Sequence, residues 1–171
     1  GNRFDVFHTD GNNFSLTKVG NSSISFRERS TNYQLIVNAG FAYTEFITNA
    51  LGTNNIVNSG AYLGAYGNIP GGLIRNTIAL NGGTLSTREG PGGSTITTLA
   101  GPIALTASSF INSDSPQYVE NHMIISGGIS GPYGVTYQGT SSNIYLLGTN
   151  SYSGGTFNQS ARIFVGSNSA S

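Results

Sequence analysis

Apolar residues in this chain recur at every second position over short stretches. In 76–86, NTIALNGGTLS, Ile78, Leu80 and Leu85 are apolar and their neighbours are small or polar. Such alternation buries one side of an extended strand and leaves the other wet. The pattern predicts strands over 14–19, 23–27, 33–37, 76–80, 83–86, 95–99, 103–106, 109–112, 122–126, 134–138, 143–147 and 162–166. No long window carries the i, i+3, i+4, i+7 apolar spacing of an amphipathic helix. The best helical stretch, 41–50 (FAYTEFITNA), is short and rich in aromatic and β-branched residues, so it reads as a helical turn or a strand.

Between the strands lie turn clusters: Asn81-Gly82-Gly83, Gly90-Pro91-Gly92-Gly93, Gly101-Pro102, Gly127-Gly128, Gly131-Pro132 and Ser153-Gly154-Gly155. Glycine supplies positive φ without a Cβ penalty, so a chain punctuated this way turns sharply many times. Two architectures satisfy the spacing. One is an antiparallel sandwich or barrel; the other is a solenoid with two or three short strands per coil. A loose internal rhythm favours the solenoid: ALNGGTL, LAGPIALTASSFIN, ISGGISGPYGVTYQG and IYLLGTNSYSGGTF each join a Gly or small polar pair to a short apolar strand. A unit of roughly 20–30 residues lies in the solenoid range. The expected fold is therefore all-β, a single β-solenoid domain over 1–171, with repeat coils over 76–166 and a cap or irregular coils over 1–75.

Composition narrows the function. Only 8% of the residues are charged, with seven basic and seven acidic, so the polar surface is built from Asn, Ser, Thr and Gln. The basic set is Arg3, Lys18, Arg27, Arg29, Arg75, Arg88 and Arg162, too dispersed to neutralise a row of phosphates, and no nucleic-acid partner is expected. Like charges stacked on successive coils would repel, which gives a solenoid a physical reason for low charge. The chain has no cysteine, which excludes disulfides and thiolate metal sites. No apolar run reaches the roughly 18–20 residues of a membrane span, and no signal peptide opens the chain; export would need a targeting segment removed or lying outside this sequence.

From about 76 onward the chain resembles the autotransporter-associated β-strand repeat, also called the passenger-associated transport repeat. The match is sharpest over 144–157, IYLLGTNSYSGGTF, where Gly148, Asn150, Tyr152, Ser153, Gly154, Gly155 and Thr156 stand in the family's pattern, followed by a strand at 161–166, ARIFVG. The segment 125–135, ISGGISGPYGV, resembles the family's preceding coil. Two positions depart from it: Gln138 stands before Gly139 where Lys is common, and Asn158-Gln159-Ser160-Ala161 replaces the usual Asn-Ala-Gly lead. The resemblance implies a right-handed parallel β-helix on the outside of a Gram-negative cell, without enzymatic activity of its own. The family's translocating barrel has no counterpart in the sequence.

Candidate chemistry is sparse. No phosphate-binding loop, zinc helix or nucleophile elbow is present. Asp114, Glu120 and His122 in SDSPQYVENH form the sharpest acid–base candidate, since β-helical polysaccharide lyases and hydrolases place such groups on an outer face; a polar loop between coils is the plainer reading. His8 reads as a surface residue. Lys18, the only lysine, reads as a solvated guard on a strand edge, with an isopeptide cross-link as the sharper alternative. Tyr33, Tyr43, Tyr62, Tyr66, Tyr133, Tyr137, Tyr145 and Tyr152 are scattered, and exposed members could stack on sugar rings. No catalytic residue, metal or cofactor is assigned, and the binding residues are unknown. The expected role is a non-catalytic extracellular surface or fibre-forming rod that self-associates or continues into a longer chain. The alternatives are an adhesin or carbohydrate-binding module, holding a host surface or polysaccharide, and then a polysaccharide lyase or hydrolase.

Overall fold

The computed structural model describes residues 3–6, 14–27, 33–45, 50–66, 73–88, 96–113, 122–140 and 143–166. In chain order their strands are β1 (Arg3–Val6), β2 (Phe14–Lys18), β3 (Ser23–Phe26), β4 (Tyr33–Val37), β5 (Gly40–Glu45), β6 (Asn54–Asn58), β7 (Ala61–Tyr66), β8 (Leu73–Ile74), β9 (Thr77–Asn81), β10 (Thr84–Arg88), β11 (Ile96–Leu99), β12 (Ile103–Ala107), β13 (Ser109–Asn112), β14 (His122–Ile125), β15 (Ile129–Ser130), β16 (Val135–Gln138), β17 (Asn143–Leu146), β18 (Thr156–Asn158) and β19 (Arg162–Val165). Among the described residues there is no helix. The ambiguous stretch beginning at Phe41 enters as β5; 46–49 lie outside the described residues.

Strands next to each other in sequence are not hydrogen-bonded partners. They fall into an eight-stranded sheet (β1-β3-β5-β7-β10-β13-β16-β18), a six-stranded sheet (β15-β12-β9-β6-β4-β2) and a five-stranded sheet (β19-β17-β14-β11-β8). Every strand pairing among the described residues is parallel. The chain is a β-solenoid: each coil visits the sheets in turn and lies on the coil before it. One row of the eight-stranded sheet runs Ser23, Phe41, Tyr62, Thr84, Phe110, Thr136, Phe157, one residue per coil. The five-stranded sheet begins at β8, so the coils around β2 to β7 are described by two sheets and the later ones by three.

The alternation read in the sequence now has a direction. Inward rows are apolar: Ile24, Ala42, Leu63, Leu85, Ile111 and Tyr137 in the eight-stranded sheet, and Ile74, Leu99, Ile125 and Leu146 in the five-stranded one. All are buried in one continuous core. Each buried Leu or Ile contributes about 1.5–3 kcal/mol relative to exposure. In the six-stranded sheet the row Leu16, Leu35, Asn55, Ile78, Ile103, Ile129 admits one amide. Asn55 tolerates that place because its Nδ2 donates to the carbonyls of Gly52 (2.9 Å) and Thr77 (3.0 Å).

Corners are built the same way on successive coils. Between the six- and eight-stranded sheets the chain turns on Gly20, Gly40, Gly60 and Gly82, with φ of 71°, 70°, 77° and 80°. Beside these corners an exposed amide ladder forms: Asn81 donates to Asn58 (2.8 Å) and Asn58 to Asn38 (2.6 Å). The corners leaving the five-stranded sheet use glycine for a different reason. A Cβ on Gly127 would lie 2.0 Å from the carbonyl oxygen of Gly101, and one on Gly148 would lie 2.3 Å from that of Gly127. Coils meet backbone to backbone there, and no side chain fits between them.

Candidate functional site

The outer side of the five-stranded sheet brings His122, Tyr145 and Arg162 onto one face. One row is Ile96, His122, Asn143 and Arg162; the next is Thr98, Ile124, Tyr145 and Phe164. Tyr145 and Phe164 stack with ring centroids 5.0 Å apart and planes 17° from parallel. His122 meets Tyr145 edge-on at 5.9 Å and 77°. Asn143 Nδ2 donates to the Tyr145 hydroxyl at 3.2 Å. The His122 Nδ1 is buried and has no hydrogen-bond partner among the described residues.

In this arrangement His122, Tyr145 and Phe164 pack on one another. Acid–base work needs a second group within reach of the proton being moved. Of the predicted cluster, only His122 lies among the described residues, at the start of β14; Asp114 and Glu120 lie outside them, as does His8.

The other candidates are dispersed. Arg27 and Glu45 form an ion pair at 2.8 Å with Glu45 buried, and the Ser25 hydroxyl donates to the same carboxylate at 2.8 Å. Arg27 is therefore a paired residue. Lys18 is corrected too. It ends edge strand β2 as expected, but its side chain is buried, at 8% exposure. Its ammonium donates to the carbonyls of Val19 (2.8 Å), Gly20 and Ala39 (3.0 Å). Burial pushes its pKa below the usual 10.5.

Of the tyrosines, Tyr33, Tyr43 and Tyr137 are buried, Tyr145 and Tyr152 are half-buried, and Tyr62 and Tyr133 are exposed. A shallow cleft of about 300 Å³ opens beside the start of β2 and β4, lined by Phe14, Ser15, Tyr33, Gln34 and Thr53. Ser15 donates to Gln34 Oε1 across it at 3.3 Å. Burial raises the Tyr33 hydroxyl well above its usual pKa, and no other lining residue ionises, so the cleft is neutral at physiological pH.

The segment that carries the sequence resemblance runs from β17 into β18, and its middle takes the place of a third strand. Ser151 N–H donates to Ile129 C=O (2.8 Å), Ser153 N–H to Gly131 C=O (2.9 Å), and Asn150 Oδ1 accepts from Ile129 N–H (3.1 Å). Tyr152 packs against the core and Gly155 turns the chain at φ 62°. These residues build a coil.

No family profile matches the chain, and neither the curated proteins nor the solved structures include a match. Among the described residues no group of three or more His, Cys, Asp or Glu could hold a metal ion, and no helix is long and apolar enough to cross a membrane.

Proposed function

We propose that this chain is a non-catalytic structural rod of an extracellular surface, a β-helical passenger-type unit extended by further coils or by another copy of itself. The observation that carries the reading is the last described coil. Val165 tops the inward row of Ile74, Leu99, Ile125 and Leu146, yet it is 78% exposed. Phe164 beside it continues the Tyr145 stack and is 48% exposed. Strand β19 is the edge of its sheet, with one row of backbone groups unpaired by any strand among the described residues. An inward apolar row and an aromatic stack both suit one more strand laid on β19.

Low charge, the exposed Asn38–Asn58–Asn81 ladder and the 144–157 resemblance support the same reading, and the resemblance supports a place outside a Gram-negative outer membrane. The test is Phe164→Asp. Wild-type chain viewed by electron microscopy at increasing concentration should form end-to-end particles, and Phe164→Asp should shorten or abolish them, because the junction would bury an unpartnered carboxylate. Reducing-end release from a bacterial or plant polysaccharide, lost in His122→Ala, would contradict the non-catalytic assignment.

A further inference from the structure

Lys18 occupies a place its neighbours do not explain by packing. It heads an inward row of the six-stranded sheet whose other members are Val37, Val57, Leu80 and Leu105, all buried and apolar. A lysine at such a position loses its water, and an ammonium without replacement ligands is costly there. The replacement comes from backbone oxygens. Val19 and Gly20, in the corner after β2, and Ala39, in the corner after β4, turn their carbonyls onto Nζ. Among the described residues no carboxylate pairs with it. An ammonium has three donors, and these three acceptors use them all.

Gly40 completes the enclosure. A Cβ there would lie 2.5 Å from the oxygens of both Gly20 and Ser22 and 2.8 Å from Lys18 Nζ. Position 40 therefore lacks a side chain for two reasons: its φ of 70° and the need to leave this space open. A desolvated pocket walled by backbone carbonyls is the kind of environment that replaces the hydration shell of a potassium ion in a selectivity filter.

We infer that this double corner is a monovalent-cation site whose resident cation is the chain's own Lys18 ammonium. The ammonium ties the carbonyls of two successive coils to one charge and so clamps the coil of β2 to that of β4. A chain deprived of the amine takes up potassium or ammonium ion at the same oxygens.

The experiment uses Lys18→Ala, which empties the space. Its thermal midpoint is measured by circular dichroism in potassium chloride, ammonium chloride and N-methylglucamine chloride at equal ionic strength. Either small cation should raise the midpoint by about 2–4 °C over the bulky one, a shift typical of a modest stabilising ligand in a chain of this size. The wild type should give one midpoint in all three salts. A Lys18→Ala midpoint that is the same in all three overturns the inference.

If that variant does not fold, the wild-type chain supplies a second measurement, because Lys18 is its only lysine. Acetylation by an N-hydroxysuccinimide ester, followed by peptide mass spectrometry, reports how accessible Nζ is. Lys18 in the folded chain should react about 100-fold more slowly than in urea, as expected of a group that is reached only by local opening. Equal rates overturn the clamp.

Discussion

The Tyr137 hydroxyl is buried, faces the core opposite Asn158 and has no hydrogen-bond partner among the described residues. The nearby Tyr152 hydroxyl pairs instead with Thr156 Oγ1 at 2.6 Å. The polar group acting on Tyr137 is the Tyr152 hydroxyl, so Tyr137→Phe should stay within about 1 kcal/mol of wild type, measured by urea unfolding. The same residue sets an alkaline limit. Burial pushes the pKa of Tyr137 up, with Tyr152 adding to it, and burial does the same at Tyr33. The folded chain keeps both hydroxyls neutral, whereas the unfolded chain ionises them from about pH 10. Their stabilisation is thus complete below pH 10 and lost as pH rises beyond it. Lys18 acts with the opposite sign: its lowered pKa makes the folded chain release a proton first, so stability rises with pH just below 10.5. Two strongly raised groups outweigh one lowered one. The thermal midpoint should fall between pH 10 and 11.5, and less steeply in Tyr137→Phe. Of these residues the sequence shows only identity. Lys18 carries no mark of burial, because its ligands are backbone oxygens that any residue could supply.

Elements were legible where the alternation was clean. Strands at 33–37 and 109–112 have the bounds the pattern predicts, and the other predicted strands differ by a residue or two at an end. The missed ones break the pattern for physical reasons. In β6 the inward position holds Asn55, made tolerable only by carbonyls from elsewhere. In β7 Gly64 stands where a Cβ would lie 1.9 Å from the carbonyl oxygen of Ser86. Strands β8 and β15 are two residues long, too short for any period, and β18 is exposed throughout. The glycines were legible as turns, but not as two kinds of turn. That distinction is testable. Gly127→Ala drives a methyl into the backbone of the preceding coil and should cost about 2–3 kcal/mol. Gly60→Ala meets open space and strains only φ, and should cost about 1 kcal/mol. Equal losses in chemical denaturation would show that close coil contact does not set the first requirement.

At the scale of the whole chain, a loose repeat favours the solenoid over the sandwich, and the parallel pairing of every strand among the described residues resolves it. Hairpin turns and solenoid corners share the same Gly and Asn vocabulary, so local sequence cannot separate them; the rows of one residue per coil can. The candidate site was less legible. Acidic neighbours in sequence make His122 the sharpest acid–base candidate, but its described ring partner is Tyr145. The sequence did not show that Tyr145 and Phe164, nineteen residues apart in the numbering, would stack across one coil step. The proposed rod, growing by strands added to β19, is argued from that stack and from the exposed Val165. Sedimentation velocity of the intact chain over a hundredfold concentration range tests this most directly. The account predicts a weight-average mass that climbs steadily above 17.8 kDa as concentration rises. A single species that stays at 17.8 kDa to the highest concentration would contradict it.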